Sequence, residues 1–437
     1  MKLLDHRWPG STWYQATAPQ PDFASVSGLH RYRVAIVGAG LAGLSTALGL
    51  IERGQRDVCV IDAAMPGAGA SGRNGGFVFA GYSLDNEALV EQLGSTAART
   101  LHGWTREAVS LMRHRADRHG IDCQINDAGV VLADWFGDDA VLSTMAKRWP
   151  DELGFGLDLL DRKALREQVC SHRYGCGLHE PGSFHFHPLR YLLGLAEVIE
   201  NHGGAVLAHS PVRSIDREHG RWRLRCDHGQ VEADEVVLTT GGYDRRLHRP
   251  VQRALQPVAT YIAVTEPLGV RLQEVLPAPV AVYDTRFAFD YYRPLPDRRL
   301  LWGGRISMAA RSPAAIRRLM ARDLARVFPE LRGVRLEYAW GGWMSYARHQ
   351  MPLIGRQPNG LWYGLAFGGH GMATTTLSGE VLAEALTGDG GRLQAFSRWP
   401  PIWGGGPVGR AGIQGYYWYR QLLDALRERW LGRQHPL

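Results

Sequence analysis

Apolar and polar positions change period several times along this chain, and each change marks an element. Arg33–Val37 (RVAIV) is a short apolar run of the kind that forms buried parallel strands. Leu41–Arg53 then carries helical periodicity, and Asp57–Asp62 (DVCVID) returns to a strand pattern, so 33–62 reads as a β-α-β unit. A glycine-rich stretch, Gly67–Gly76, follows. Residues 95–120 predict a long amphipathic helix and 189–202 a second one. Val206–Asp216, Arg221–Cys226 and Glu235–Thr240 read as three strands. From about Val258 to Trp343, apolar and polar residues alternate and aromatics are dense, the pattern of antiparallel sheet. Near Gly364 comes another glycine-rich turn, then a helix over about Thr375–Leu386. Residues 1–27 read as an irregular lead-in, and 400–437 as a Pro, Gly and Trp-rich tail that ends in a helix-like segment.

Composition narrows the class. The chain has 437 residues, 45% of them hydrophobic and 21% charged, so it is an ordinary globular sequence of two or three domains. Its net charge of +7 is spread without a block of five consecutive basic residues, and nucleic acid is not an expected partner. The N-terminal MKLLDHRWPGSTWYQ lacks an apolar signal core. The longest apolar run, Val34–Ile51, is interrupted by glycines at 38, 40, 43 and 49, so no membrane span is expected. The five cysteines include no CxxC pair, which suits a reducing, cytoplasmic setting better than a disulfide framework. Cys170, His172, Cys176, His179, His185 and His187 fall close together, but their spacing matches no usual zinc knuckle, and no metal is expected.

Gly38-Ala39-Gly40-Leu41-Ala42-Gly43 is a GxGxxG between strand and helix, the context this motif requires. Its first glycine permits the tight turn, its second lets backbone approach a pyrophosphate, and its third lets helix and strand pack closely. The helix N-terminus offers free N–H groups to phosphate. Asp62 ends the second strand 19 residues after Gly43, where a carboxylate can accept ribose hydroxyls. The motif alone does not separate NAD from FAD, and a lone glycine turn of this kind also occurs in other α/β proteins.

Ala70-Ser71-Gly72-Arg73-Asn74-Gly75-Gly76 resembles the GASGRNGG signature of the D-amino-acid-oxidase-like flavoproteins, closest to their gamma-glutamylputrescine oxidase branch. Further stretches resemble the same family in the same order. They are His187-Pro188-Leu189-Arg190-Tyr191 before a helix, Val212 in SPVRSID, EVVLTTGG over 235–242, and Phe367-Gly368-Gly369-His370-Gly371-Met372-Ala373-Thr374. The resemblance implies an α/β fold: a Rossmann-type FAD-binding domain, glutathione-reductase-like, with a second, antiparallel-β-rich substrate domain. It places the first in 28–95, 165–250 and 345–399, and the second in 96–164 and 251–344. It implies FAD held by Gly38, Gly40, Leu41, Ala42, Gly43, Asp62 and Ala63, by Ser71, Gly72, Arg73, Asn74, Gly75 and Gly76, by Val212, Thr240 and Gly241, and by Gly369, Gly371, Met372, Ala373 and Thr374. No cysteine lies beyond Cys226, so the FAD is expected to be non-covalent.

The implied chemistry is oxidation of a C–N bond by hydride transfer to flavin N5, with hydrolysis of the resulting imine and electrons passing to O2 or another acceptor. His370 is the candidate catalytic residue. It stands where glycine-oxidase-like relatives carry a carboxylate-clamping arginine and putrescine-type relatives a histidine, which favours a polyamine derivative such as gamma-glutamylputrescine. Secondary amino acids (pipecolate, sarcosine, N-alkyl glycines) are the alternative within enzymes. A flavoprotein that modifies transfer RNA is the alternative of another class, although the fused methyltransferase half frequent in those relatives has no counterpart in this sequence. Tyr292, Arg305 and Trp343 are candidate substrate contacts. Tyr283, Phe287, Tyr291, Tyr292 and Trp302 suit an aromatic cage for an amine, or equally an ordinary sheet core. Whether Arg348 faces substrate or solvent is open at this stage.

Overall fold

The computed structural model describes residues 12–244 and 247–434; the first eleven residues of the lead-in and the last three of the tail lie outside that range. The β-α-β unit forms as its pattern requires. Strand Gly28–Val37 runs into helix Leu41–Glu52, which is buried along nearly its whole length, and then strand Val58–Ile61. The first strand starts five residues earlier than the apolar run because its polar N-terminal half pairs with Gly229–Ala233 at the sheet margin. Ala205–Leu207, Val58–Ile61, Gly28–Val37, Gly229–Leu238 and Trp362–Leu365 make a parallel core, and Leu353–Arg356 closes one edge antiparallel. The expected strand 206–216 is two strands, Ala205–Leu207 and Ser214–Glu218, separated by an irregular stretch that holds Ser210, Pro211 and Val212.

The second sheet has eight strands, in the order Leu336–Tyr346, Gln256–Thr265, Leu300–Ser307, Tyr291–Pro294, Ala281–Asp284, Val130–Ala133, Gly177–Glu180 and Asp158–Leu160. All its pairings are antiparallel except that of Ala281–Asp284 with Val130–Ala133. The architecture is two-domain α/β. Gly177–Glu180, which the sequence places within 165–250, pairs in this second sheet. Helix Pro188–Asn201 caps itself through His187, whose Nδ1 accepts from the Arg190 amide at 3.2 Å. The tail is far more helical than its glycines suggest, with one helix over Gly406–Gln434. No helix among the described residues is long and apolar enough to cross a membrane.

Two helices from opposite ends of the chain fix the first domain. Leu41–Glu52 and Gly371–Leu386 approach backbone to backbone, and a Cβ on Gly379 would lie 2.4 Å from Ser45 Cβ and 2.7 Å from the Thr46 nitrogen. Arg115, fully buried, donates to both Glu52 and Glu380 and so ties this pair to the long helix Ser95–Arg118. A buried cation is tolerated only when its charge is met in this way. Gly379→Ala is therefore expected to lower stability by about 1–3 kcal/mol through overpacking. Gly103→Ala, in the helix Ser95–Arg118 where a Cβ meets nothing within 4 Å, is expected to raise it by about 0.5–1 kcal/mol. Denaturation midpoints of the two flavin-loaded variants check this, and equal shifts would contradict it.

Candidate functional site

A cavity of about 1390 Å3 runs between the two sheets and is lined from both. That exceeds the roughly 300–1,000 Å3 of an ordinary small-molecule pocket, so it has room for a dinucleotide and a substrate together. One end is built by the first glycine motif. Gly38 has φ +117°, and a Cβ there would lie 2.8 Å from the Thr239 carbonyl oxygen. Thr239 Oγ1 also reaches the carbonyls of Val37 and Gly38, each at 3.0 Å, which closes the turn. A Cβ on Gly43 would lie 1.9 Å from the Gly38 oxygen, so the third glycine shapes the turn and does not itself line the cavity. Gly40 gives the helix no side-chain cap, and its N-terminus at Ala42 opens onto the cavity. Leu41 is placed by its amide, which donates to Ser71 Oγ at 3.0 Å. Asp62 lines the cavity beside Ala63 and accepts from the amides of Ala39 (2.7 Å) and Ala64 (2.8 Å), joining the turn to the second strand.

The loop through residues 70–76 forms an adjoining wall. Ser71, Arg73, Asn74 and Gly75 line the cavity; Gly72 and Gly76 make the tight approaches that shape the loop, to the Gly67 and Phe186 carbonyls respectively. Asn74 holds the loop from within, donating to Ser71 O at 2.6 Å and accepting from Gly76 N at 2.8 Å. Arg73 is buried, and burial lowers its pKa. Its Nε donates to Ala68 O at 2.7 Å, but its Nη1 has no hydrogen-bond partner among the described residues. Thr240 Oγ1, which lines the same cavity as Gly241 and Val212, is likewise buried and without a partner among the described residues. Buried polar atoms are seldom left so. An orphaned guanidinium nitrogen, an orphaned hydroxyl and two helix N-termini facing one cavity fit the pyrophosphate and ribose groups of a dinucleotide.

The other end is aromatic. Phe79 stacks on Tyr283 at 5.5 Å and meets the His370 ring edge-on at 4.9 Å. Phe289 bridges Tyr283 and Tyr291. His370 caps the helix Gly371–Leu386 by backbone alone, leaving its ring for the cavity; Gly369, Gly371 and Met372 line the cavity beside it, and Ala373 and Thr374 lie behind in the helix. Ser83 Oγ accepts from the amides of Gly369 (2.9 Å) and His370 (3.3 Å), and Gly368 leaves it room, since a Cβ there would lie 2.2 Å away. Burial pushes the His370 pKa down to about 4, so the imidazole is neutral near pH 7.

The substrate candidates divide. Tyr292 is not at the site: it points to the opposite face of its strand, fully buried, stacked on Trp302 at 4.7 Å with its hydroxyl on Tyr174. Its neighbour Tyr291 lines the cavity instead, because adjacent strand residues face opposite ways. Trp302 belongs to the same buried core, whereas Tyr283 and Phe287 line the cavity. Arg305 lines the cavity but is held bidentately by Asp323, at 2.7 and 2.6 Å. Trp343 lines the cavity, and Arg348 is exposed in its wall. Phe79, Ser83 and Phe289 were missed. The alternation in Gly76-Phe77-Val78-Phe79 was the available signal for Phe79. The six clustered Cys and His residues diverge; His179, His185 and His187 bond Ala128 O, Pro279 O and Thr17 Oγ1, and among the described residues no three of the six share a ligating point.

The profile of the FAD dependent oxidoreductases (DAO) matches residues 33–385. The chain belongs to this family. It is 34% identical over 393 residues to the gamma-glutamylputrescine oxidoreductase of Escherichia coli (strain K12), covering 89% of this chain and 92% of that protein. It is 30% identical over 419 residues to the probable oxidoreductase OrdL of Haemophilus influenzae, covering 93% and 95%. The L-proline dehydrogenase of P. horikoshii has the same fold, with a TM-score of 0.71 at 16% identity, over 85% of this chain and 97% of that one. The cofactor of this family member is FAD, and its reaction is the oxidation of a C–N bond in an amine or amino acid. Arg73→Met, which removes the buried cation, is expected to weaken FAD retention about 10- to 100-fold, the worth of a charge-assisted hydrogen bond. Flavin absorbance after ultrafiltration reads this, and unchanged retention would mean that the phosphates lie elsewhere.

Proposed function

We propose that this protein oxidises a polyamine derivative, such as gamma-glutamylputrescine, at a carbon bearing nitrogen. The observation that carries the reading is the character of the cavity around His370. Among the described residues four arginines line the cavity: Arg73 beside the glycine loop, Arg213 paired with Asp227, Arg305 paired with Asp323, and exposed Arg348. The space bounded by Phe79, Tyr283, Phe289, Tyr291 and neutral His370 thus suits an amine-bearing alkyl chain better than an α-carboxylate. The 34% identity to a gamma-glutamylputrescine oxidoreductase supports the same substrate class.

In this reading FAD is held non-covalently by the residues of Gly38–Gly43, Asp62–Ala63, Ser71–Gly76, Val212, Thr240–Gly241 and Gly369–Thr374, some by contact and some by shaping the loops. Bound there, FAD would supply the two-electron acceptor for oxidation of the C–N bond, whose imine product hydrolyses in water. The chain's own part is to orient the C–H bond, exclude water with aromatic walls and keep the amine unprotonated. An imidazole that protonates only near pH 4 can accept a hydrogen bond from the amine and is itself no competing cation. The two electrons leave to O2 or another acceptor. Exposed Arg348 favours a second reading, in which a secondary amino acid such as pipecolate or sarcosine places its carboxylate there.

Anaerobic addition of putrescine, gamma-glutamylputrescine, pipecolate and sarcosine to the yellow protein separates the two. Bleaching by the glutamylated diamine is expected, and bleaching by the amino acids alone would favour the second reading. His370→Ala is expected to keep FAD but slow flavin reduction by about 10- to 100-fold, a typical contribution of one positioned group. Unchanged reduction would remove His370 from the site. The sign of the pH dependence follows from the depressed His370 pKa. Between pH 6 and 9 the ring stays neutral, so the rate of flavin reduction should rise only with loss of the substrate's proton, and its midpoint should be the same in His370→Asn. A midpoint near 6.5 that disappears in the variant would contradict the assignment.

A further inference from the structure

Among its described side chains the C-terminal helix Gly406–Gln434 buries only Tyr417, with Ile413 partly buried in the same cluster, and turns most of its other large apolar residues outward. Its inward side carries the polar contacts: Gln414 accepts from Met308 N, Asp424 accepts from Phe287 N, and Glu428 pairs with Arg173 and Arg326. Its outward side carries Trp418, Tyr419, Leu422, Leu423, Leu426 and Trp430, each between 40% and 66% exposed. A helix in water ordinarily shows the opposite arrangement. These positions recur every three or four residues, so they form one stripe along a helix about 43 Å long. Single exposed apolar residues need no explanation, but a contiguous stripe of this size marks a contact surface.

Charge selects the occupant. The helix has five arginines and two carboxylates; both carboxylates are used on the inward side, and Arg427 and Arg410 are engaged by Asp138 and the Met308 carbonyl. Arg429 stands exposed within the apolar stripe, and Arg420 is turned to Tyr416 and Phe287. A second copy docked on this face by two-fold symmetry would offer Arg429 no free carboxylate from the same helix, since Asp424 and Glu428 are both engaged inward. Aromatic and leucine side chains interleaved with arginine instead match the headgroup region of an anionic bilayer. We propose that this helix lies on an anionic membrane surface, as a peripheral contact and not a span. Trp403 and Val408 are both exposed and part of the cavity wall, so the same contact brings the cavity mouth to the bilayer.

The test is flotation of the full, flavin-loaded chain with vesicles of phosphatidylcholine, with and without phosphatidylglycerol. The protein is expected to float with the anionic vesicles, with a bound fraction at least about tenfold above that on neutral ones, and to be released in part by high salt. A triple variant, Leu422→Glu, Leu426→Glu and Trp430→Glu, should lose flotation while keeping its flavin spectrum. The salt and lipid dependence of the unaltered protein decides the matter if that variant does not fold. Absence from both vesicle fractions, or equal binding to both, would overturn the proposal. So would a dimer, seen by light scattering without lipid, that the same three substitutions dissociate.

Discussion

Close backbone contact between the helices Leu41–Glu52 and Gly371–Leu386 is the constraint on which the rest of this structure depends. Gly379 meets Ser45 and Thr46 with no room for a methyl group, and Gly49 lies under the side chains of Glu380 and Ala383. The first helix begins at the turn Gly38–Gly43, and the second begins at His370. Their contact therefore aims two helix N-termini, from segments more than 300 residues apart, into one cavity. Arg115 then charges the joint: it is fully buried, and it is stable there only because Glu52 and Glu380 both reach it.

From that joint the division of labour follows. The parallel sheet, whose strands end near the same turns, presents backbone and a few polar atoms, which suits an anionic dinucleotide. The second sheet reaches over it. Trp340 donates to the Arg73 carbonyl, and Tyr346 pairs with Phe367, so this sheet presses on both the glycine loop and the His370 turn. The result is a cavity that is polar and backbone-lined at one end and aromatic at the other. A flavin dehydrogenation needs both ends, because the dinucleotide is bound by charge and the reacting amine must be held neutral and dry.

Much of this was legible in the sequence, for identifiable reasons. The β-α-β unit, the helices near 95–120 and 189–202, and the β-rich middle follow from periodicity, and the glycine motifs carry their own steric logic. What escaped is tertiary. Tyr291 and Tyr292 are indistinguishable as letters in a strand, yet only Tyr291 reaches the cavity, and the face is set by register with Gly303 and Trp302. Arg305 is a candidate substrate contact by its place in the strand, but its partner Asp323 comes from a helix that packs on the sheet only in three dimensions. The end of the tail reads as helix, but the helix's N-terminal part is masked by glycines at 406, 409, 412 and 415, and two of these, Gly409 and Gly412, line the cavity.

In the proposed site, one cavity between the two sheets holds FAD by its glycine turns and presents the reacting end to His370. A crystal structure of the yellow protein tests this most directly. The pyrophosphate is expected against Gly38–Gly43 and Arg73, and the flavin ring beside the turn that carries His370. A dinucleotide bound elsewhere, or a flavin ring remote from His370, would contradict it.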